Sequence, residues 1–471
     1  LRVRFIYPGA EWAYSKERVK SDPFSPPLGI LYLASQLKAA GHDVKVADFY
    51  AEHYTKKRLK EVIADADLIG MTLTSFTMKD ALPIAKQIKA AAPEVPFIIG
   101  GPHVTLYPSK SLDLTGADIS VAGEAEGSII PLVEAIASGG CEGPMLKEIP
   151  GVTFRTKDGF VSGPPGTFAK DLDALPFPDR SLVEDYDYGY LLGSKISKGR
   201  FTTIITSRGC PMRCRFCTRV VVSMGRYRAR TAENVIEEVK AVHDEGYETV
   251  MFVDDNFMAN RRRTLRILEG LIKADLDMEF IAQGRVDGVD DEIFTAMRKA
   301  GIRVLLLGIE SGNQEVLDFY KKKTTLEQIE RCVRMARKHD IVTVGTIILG
   351  APIETREHFQ RTVDFLNGIP VDLVHFFQLE LAAGSDMWKE AVADGIITED
   401  DYLVYVGKEK GYGNMTSDEI FQWVQEAHKK FYIRPGWWLD QIWQGFRRRD
   451  FRVLRIIGKV VRNRKSEVFG T

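Results

Sequence analysis

A chain of 471 residues exceeds what one ordinary hydrophobic core supports, so two or three domains are expected. Its 45% hydrophobic and 27% charged composition is that of a soluble globular protein. The balance of 64 basic against 65 acidic residues excludes bulk attraction to nucleic acid or to an anionic membrane, so any such binding needs a local patch. Leu1–Pro8 reads as a strand. It has no charged start, apolar run and small-residue cleavage site of a secretory signal, and no run of about 18 uncharged apolar residues follows anywhere to span a bilayer.

Strand-like and helix-like segments alternate over the first 140 residues. Val3–Tyr7, Val44–Asp48, Leu68–Leu73, Phe97–Gly100 and Ile119–Ala122 are short apolar strands. Leu28–Ala40, stopped by Gly41, and Lys79–Ala91 and Ile129–Ser138 have helical spacing. The alternation predicts an α/β domain over 1–140, a parallel flavodoxin-like (Rossmann-like) sheet that takes ligands beyond the carboxyl ends of its strands. Residues 141–200 are rich in Gly, Pro and Asp and read as a linker. It contains one hairpin, Val152–Val161, turning at Asp158-Gly159. A second series of strands follows over 201–400: Thr202–Thr206, Thr249–Val253, Glu279–Ala282, Val304–Gly308, Val342–Leu349 and Leu373–Leu379. Helical stretches such as Ala232–Asp244 and Leu326–Lys338 separate them. Six such units predict a partial (β/α)6 barrel of the TIM type. Residues 401–471 read as a small helical region.

Of five cysteines, three fall within eight residues. That is no disulfide framework, and a reducing cytoplasm is the expected compartment. Cys141 and Cys332 read as buried structural thiols. Cys210, Cys214 and Cys217 follow the first barrel strand directly and can face a common point from one loop. Thiolates are the ligands iron–sulfur clusters use, and three ligands on a four-iron cluster leave one iron open to a chelating amino and carboxylate pair. The competing reading, a zinc knuckle, needs a fourth Cys or His at short spacing. The nearest later histidine, His243, falls in a predicted helix.

The Cys-x3-Cys-x2-Cys loop after the first strand of a six-unit barrel resembles the radical SAM superfamily. The resemblance implies a [4Fe–4S] cluster whose open iron binds S-adenosyl-L-methionine (SAM) and whose electron cleaves it to a 5′-deoxyadenosyl radical. Phe216 matches the aromatic that packs beside such a cluster. Strand ends then supply the SAM pocket. Asp254 or Asp255 would receive the ammonium, and Gln283 and Arg285 end the third strand. Arg285 would pair with the carboxylate in a bidentate manner. Glu310, followed by Ser311, would reach the ribose or the substrate, and Gly350 would let the adenine approach. Arg285 and Glu310 are the expected catalytic pair. The plainer alternative is that these polar residues only cap strands and helices.

A parallel sheet preceding such a barrel resembles the cobalamin-binding subfamily, the radical SAM methyltransferases and anaerobic magnesium-protoporphyrin cyclases. The residues that carry the likeness are Pro27, Leu28 and Gly29 opening the first helix, Thr74, Ser75 and Phe76 after the third strand, Gly100, Gly101, His103 and Thr105 after the fourth, and Gly123 and Glu124 after the fifth. Glycines would let the backbone approach the nucleotide tail, and hydroxyls would bond it. The first strand is followed by Tyr7-Pro8-Gly9-Ala10-Glu11-Trp12, without the cobalt-ligating histidine of Asp-x-His-x-x-Gly. Cobalamin would therefore bind without that ligand. Phe76 would lie under the cobalt, and His103 is the remaining axial candidate.

Arg447–Lys465 carries nine basic residues and one acidic residue. Phe446, Val453, Leu454, Ile457, Val460 and Val461 recur there at helical spacing, after Trp437, Trp438 and Trp443. This stretch is either a helix lying on an anionic membrane or one docked on the barrel with a solvated basic face. No RNA-binding module accompanies the charge. The final barrel strand runs into Leu381-Ala382-Ala383-Gly384-Ser385-Asp386, a departure from the Pro-Gly-Thr usual in the subfamily. The resemblance implies a methyltransferase acting on an unactivated carbon of a small-molecule or lipid-like substrate through methylcobalamin. The alternative is an oxidoreductase or cyclase of a porphyrin-like or lipid substrate. Either needs a low-potential electron donor, ferredoxin or flavodoxin.

Overall fold

The computed structural model describes residues 1–9, 23–191, 194–218 and 223–462, and the chain divides into two compact units, Leu1–Tyr188 and Gly189–Thr471. The Ala10–Trp12 part of the stretch after the first strand, and Asn463–Lys465 of the basic tail, lie outside the described residues.

In the first unit the strands are β1 (Arg2–Tyr7), β2 (Asp43–Asp48), β3 (Leu68–Thr72), β4 (Phe97–Gly100), β5 (Ile119–Val121), β6 (Val152–Thr156) and β7 (Gly159–Ser162). They form one sheet in the order β2-β1-β3-β4-β5-β6-β7, and the first five are parallel. This is the flavodoxin-like order. Strands such as β3, Leu-Ile-Gly-Met-Thr, are buried nearly throughout, as sheets covered on both faces require. Ile69, Met71 and Leu73 pack with Ile84, Phe97 and Ile99 into the core on one face. The hairpin assigned to a linker instead extends this sheet. Ile119 pairs with Phe154 and Val121 with Val152, antiparallel. Val152 and Phe154 are buried there, so the apolar half of the hairpin has a sheet to join. At the opposite end of the strands Arg4, wholly buried, bonds the carboxylates of Asp43 and Asp65 at 2.8 Å each and ties β1 to its neighbours.

The second unit is built on β8 (Phe201–Ile204), β9 (Thr249–Phe252), β10 (Glu279–Gly284), β11 (Ile302–Glu310), β12 (Val342–Leu349) and β13 (Leu373–Gln378). All are parallel and in sequence order, so the sheet is a barrel that does not close. The free edge of β13 is covered by side chains of the helix Ser417–Tyr432, which we call the edge helix. The Tyr432 hydroxyl accepts the Val374 N–H (2.9 Å) and donates to the Val374 carbonyl (2.7 Å). His428 Nε2 accepts the Phe376 N–H at 3.4 Å, and its Nδ1 lies 2.8 Å from the Val424 carbonyl. An amide can only donate, so the ring proton is on Nδ1. These contacts replace the strand a closed barrel would have supplied.

The basic C-terminal helix, Arg452–Arg462, docks on the barrel. Val453 and Ile456 share a small cavity with Val304, Val342, Val344 and Leu373, the starts of β11, β12 and β13. Arg452 pairs with Glu279 (2.6 Å) and Asp450, and donates to the Ile196 carbonyl. This plug helix thus fills the amino end of the barrel. The apolar stripe is buried at Val453 and Ile457, as the docked alternative requires, and Phe446 belongs to the preceding helix, Pro435–Arg448. No helix among the described residues is long and apolar enough to cross a membrane.

Burial, and then the neighbouring His375, push the His428 ring down to about 3. Its contribution to stability is therefore complete above the unfolded value of about 6.5 and declines as pH falls from there towards 3. His428→Leu leaves the Phe376 amide without an acceptor and should cost about 1–3 kcal/mol at neutral pH. The gap between variant and parent, measured by denaturant unfolding, should narrow between pH 6.5 and pH 4.

Candidate active site

In both units the carboxyl ends of the parallel strands lie along one edge, where loops converge. In the barrel unit the loop after β8 carries Cys210, Cys214 and Cys217, all half-exposed. A short antiparallel pair, Ser207–Arg208 with Arg228–Ala229, frames it. Gly209 has φ +83°, and a Cβ there would lie 2.1 Å from the Arg226 carbonyl, so the approach to Cys210 admits glycine alone. The Cys217 N–H bonds the Cys214 carbonyl at 3.1 Å and folds the loop back on itself. Arg215 anchors it: its N–H reaches the Tyr320 carbonyl and its guanidinium the Phe319 carbonyl and Glu390. Phe216 packs edge-to-face on Tyr320, with centroids 5.1 Å apart. Burial raises the Cys210 thiol above its ordinary value, against the Met212 N–H, with the charge of Asp255 adding to the rise.

The strand-end residues sort by use. Asp254 is fully buried and accepts from the Thr206 N–H and from the Thr206 and Ser207 hydroxyls. It holds the root of the cysteine loop and presents no surface to a ligand. Asp255, by contrast, stays partly exposed, and its charge is felt at Cys210. Asn256, 3% exposed, has a buried Oδ1 with no hydrogen-bond donor. Gln283 donates to the Asp254 carbonyl at 2.7 Å. The Arg285 fork is held by Asp287 (2.7 and 3.1 Å), Nη2 reaches the Lys322 carbonyl (2.5 Å), and Nη1 lies 3.8 Å from the Cys214 sulfur. Its bidentate edge therefore belongs to Asp287.

Glu310 is bonded by Lys322 Nζ at 2.6 Å, with both side chains buried. The ladder is bulged between Gly308 and Glu310, and Glu310 takes φ +66°. A Cβ on Gly308 would stand 2.5 Å from the Glu310 carboxylate and 2.7 Å from Lys322 Nζ, so the missing side chain makes room for the pair. Ser311 is buried and accepts from the Asn313 N–H. The Gly350 and Ala351 N–H groups bond Glu354, whose carboxyl burial pushes up to about 7. Gly350, at φ +105° and packed on Ile420, therefore serves a turn.

Two groups escaped the sequence reading. Lys322 sits in Lys321-Lys322-Lys323, which looks like a solvated surface run. His375 and Phe377 share the face of β13 that Leu373 turns to the barrel interior, by the period of two. Strict alternation over Leu373–Gln378 would have found them. Burial lowers His375 to about 4, so it is neutral at physiological pH.

In the first unit, Pro27 caps the helix Leu28–Ala39 and Gly29 is open to solvent. Thr74 forms a capping box with Thr77. The Ser75 hydroxyl bonds His103 Nδ1 at 3.1 Å, and His103 is wholly buried, pushed down to about 4 by that burial. In this position the imidazole presents no surface to a cobalt ion. Phe76 is 62% exposed on the same edge. Gly101, at φ +103°, would place a Cβ 2.5 Å from the Thr72 hydroxyl. Thr105 accepts the Gly123 N–H and donates to the Gly101 carbonyl, and Glu124 holds the Ala169 N–H. Gly100 stays partly open. The hydroxyls thus build the edge, while Phe76, Gly29 and Gly100 offer surface to a ligand.

The donor chemistry fits a cluster: three free thiols stand on one short loop, and a four-iron cluster offers each thiolate its own iron. Such a loop at the carboxyl edge of an open six-stranded barrel defines a radical SAM enzyme core. Residues 204–366 match the radical SAM superfamily model, and residues 18–132 match the B12 binding domain model. The chain is 30% identical to the uncharacterized methyltransferase PH0819 of Pyrococcus horikoshii, over 93% of this chain and 94% of that one. It is 28% identical to the anaerobic magnesium-protoporphyrin IX monomethyl ester cyclase of Rubrivivax gelatinosus, over 93% and 78%. The fold is shared with TsrM from Kitasatospora setae, a radical SAM methyltransferase whose structure holds cobalamin and a [4Fe–4S] cluster. The TM-score is 0.65 at 20% identity, covering 84% of this chain and 75% of that one. The chain belongs to the cobalamin-dependent radical SAM methyltransferase family and is an enzyme whose cofactors are a [4Fe–4S] cluster, SAM and cobalamin.

The Glu310–Lys322 pair gives a separable test of the strand-four network. Lys322→Met leaves a buried carboxylate without its counterion and should cost about 3–5 kcal/mol in unfolding free energy. Replacing both residues by Met should restore most of that loss, as read by chemical denaturation of the two variants side by side.

Proposed function

We propose that the enzyme transfers a methyl group to an unactivated carbon of a small-molecule substrate. The observation that carries the reading is the union in one chain of a three-thiol loop on an open barrel and a flavodoxin-like sheet with an exposed aromatic at its ligand edge. When bound, the cofactors supply an electron that cleaves SAM to methionine and a 5′-deoxyadenosyl radical, and a cobalt centre that carries the methyl group.

The chain's own residues bind, orient and protect. Asp255, with the buried carbonyl of Asn256 beside it, receives the SAM ammonium. Arg285 offers its Nη1 edge to the SAM carboxylate while Asp287 fixes the other edge. Lys322 holds the Glu310 carboxylate over the barrel interior, where it meets the ribose or the substrate. His375 and Phe377 give the substrate a wall that is apolar yet capable of one hydrogen bond. The exposed Phe76 would offer an apolar surface to cobalamin at this edge, with no ligating atom of its own. A low-potential ferredoxin or flavodoxin supplies the electron.

Reconstituted without oxygen and reduced, the protein should form 5′-deoxyadenosine from SAM. Labelled methyl should pass to a product one methylene heavier than its precursor. Cys214→Ala should abolish both and lower bound iron below the roughly four atoms expected per chain. Deoxyadenosine formed together with a product that has lost hydrogen and gained no label would favour the cyclase reading, which the 28% identity to the cyclase keeps in view. Phe76→Asp should reduce cobalamin retained after gel filtration, read by its visible absorbance, and leave the iron content unchanged.

A further inference from the structure

The helix Pro435–Arg448 buries Trp437 and Gly445 together with polar side chains, and leaves most of its large apolar residues outside. Its buried residues include Gln441 and Gln444, whose Oε1 atoms have no hydrogen-bond donor. Its outward face carries Leu439 (69% exposed), Ile442 (40%), Trp443 (64%) and Phe446 (66%). Their spacing of three, one and three residues puts all four on one stripe. Single exposed apolar residues are ordinary, but a contiguous stripe headed by Trp and Phe marks a surface that meets an apolar phase or a partner. The charges around it are one-sided. Arg449 and Arg455 are exposed beyond the carboxyl end of the stripe, while the nearby acids are neutralised: Asp440 by Arg337 at 2.9 Å and Asp450 by Arg452 at 2.6 Å.

We propose that this stripe seats the enzyme on an anionic phospholipid surface, with Trp443 and Phe446 entering the headgroup boundary and Arg449 and Arg455 pairing with lipid phosphates. Charge decides between this occupant and a second copy of the chain. In a two-fold pair the arginine end of one helix faces either its own kind or the Leu439 end of the other. The acids the described residues offer there, Asp440 and Asp450, are already ion-paired. An anionic bilayer supplies both an apolar layer and the missing negative charge. The inference is independent of the substrate and of the methyl-transfer reading.

The test is co-sedimentation of the full-length holoenzyme with vesicles of phosphatidylcholine, with and without phosphatidylglycerol. Binding is expected to the anionic vesicles, with a blue shift of tryptophan emission and weakening at high salt. The double variant Trp443→Glu/Phe446→Glu should bind about tenfold more weakly or less, since both groups leave the apolar phase. Arg449→Glu/Arg455→Glu should lose the preference for anionic lipid. Both pairs are exposed, so melting temperature and 5′-deoxyadenosine formation should hold. Parent protein that stays in solution with both vesicles at low salt overturns the proposal, as does an aromatic double variant that binds as well as the parent. Light scattering that finds a dimer dispersed by the aromatic substitutions, without vesicle binding, assigns the face to a second copy instead.

Discussion

One guanidinium joins the parts of the barrel site. Arg285 holds Asp287 with its fork, reaches the Lys322 carbonyl in the loop after the helix Gln314–Phe319, and turns Nη1 to the Cys214 sulfur. Lys322 in turn neutralises Glu310 across the space Gly308 leaves open. The cysteine loop, the third strand and the fourth are thereby one electrostatic unit. Buried charges of this kind persist only when each has a counterion and further hydrogen bonds, so the network constrains every member. Arg285 sits in it as a planar fork that lysine could not reproduce.

The two units divide labour between the ends of their strands in the same manner. At the amino ends, charge and apolar packing fasten the sheet: Arg4 with Asp43 and Asp65 in one unit, the plug helix with Arg452 and Glu279 in the other. The carboxyl ends are left for chemistry, with loops held by glycine turns and by hydroxyls bonded within the protein. Stability and ligand surface are thus built from different residues. For that reason many polar groups on the ligand edge, such as Asp254, Thr105 and Ser75, are structural supports.

The architecture was legible in the sequence because its signals are periodic. Apolar runs of strand length alternating with helical spacing required parallel sheets, and the cysteine spacing marked the loop after the first barrel strand. The hairpin Val152–Val161 is present as the sequence predicts, but its place in the sheet was hidden because its surroundings are rich in Gly and Pro, and pairing to β5 is a long-range event that composition does not encode. The fate of individual polar residues was equally hidden. Asp254 and Asp255 are adjacent and chemically alike, yet one is enclosed by Thr206 and Ser207 while the other keeps a partly exposed side chain whose charge is felt at Cys210. Lys322 lay within a lysine run, and only the bulge at Gly308–Glu310 turns its partner inward. For the C-terminal stripe the spacing left two alternatives, and burial of Val453 and Ile457 selects the docked one, because hydrophobic spacing says which residues share a face and not which face is covered.

The unclosed sheet has a consequence for how the protein can be cut. The last barrel strand, Leu-Val-His-Phe-Phe-Gln, is largely apolar, and on its outer edge its backbone is met by a tyrosine and a histidine from the edge helix rather than by a second neighbouring strand. A fragment ending before Ser417 would bare those amides and carbonyls as a template for pairing with another chain. The catalytic barrel is therefore not a self-sufficient module: its carboxyl-terminal appendage guards it against fibrous assembly.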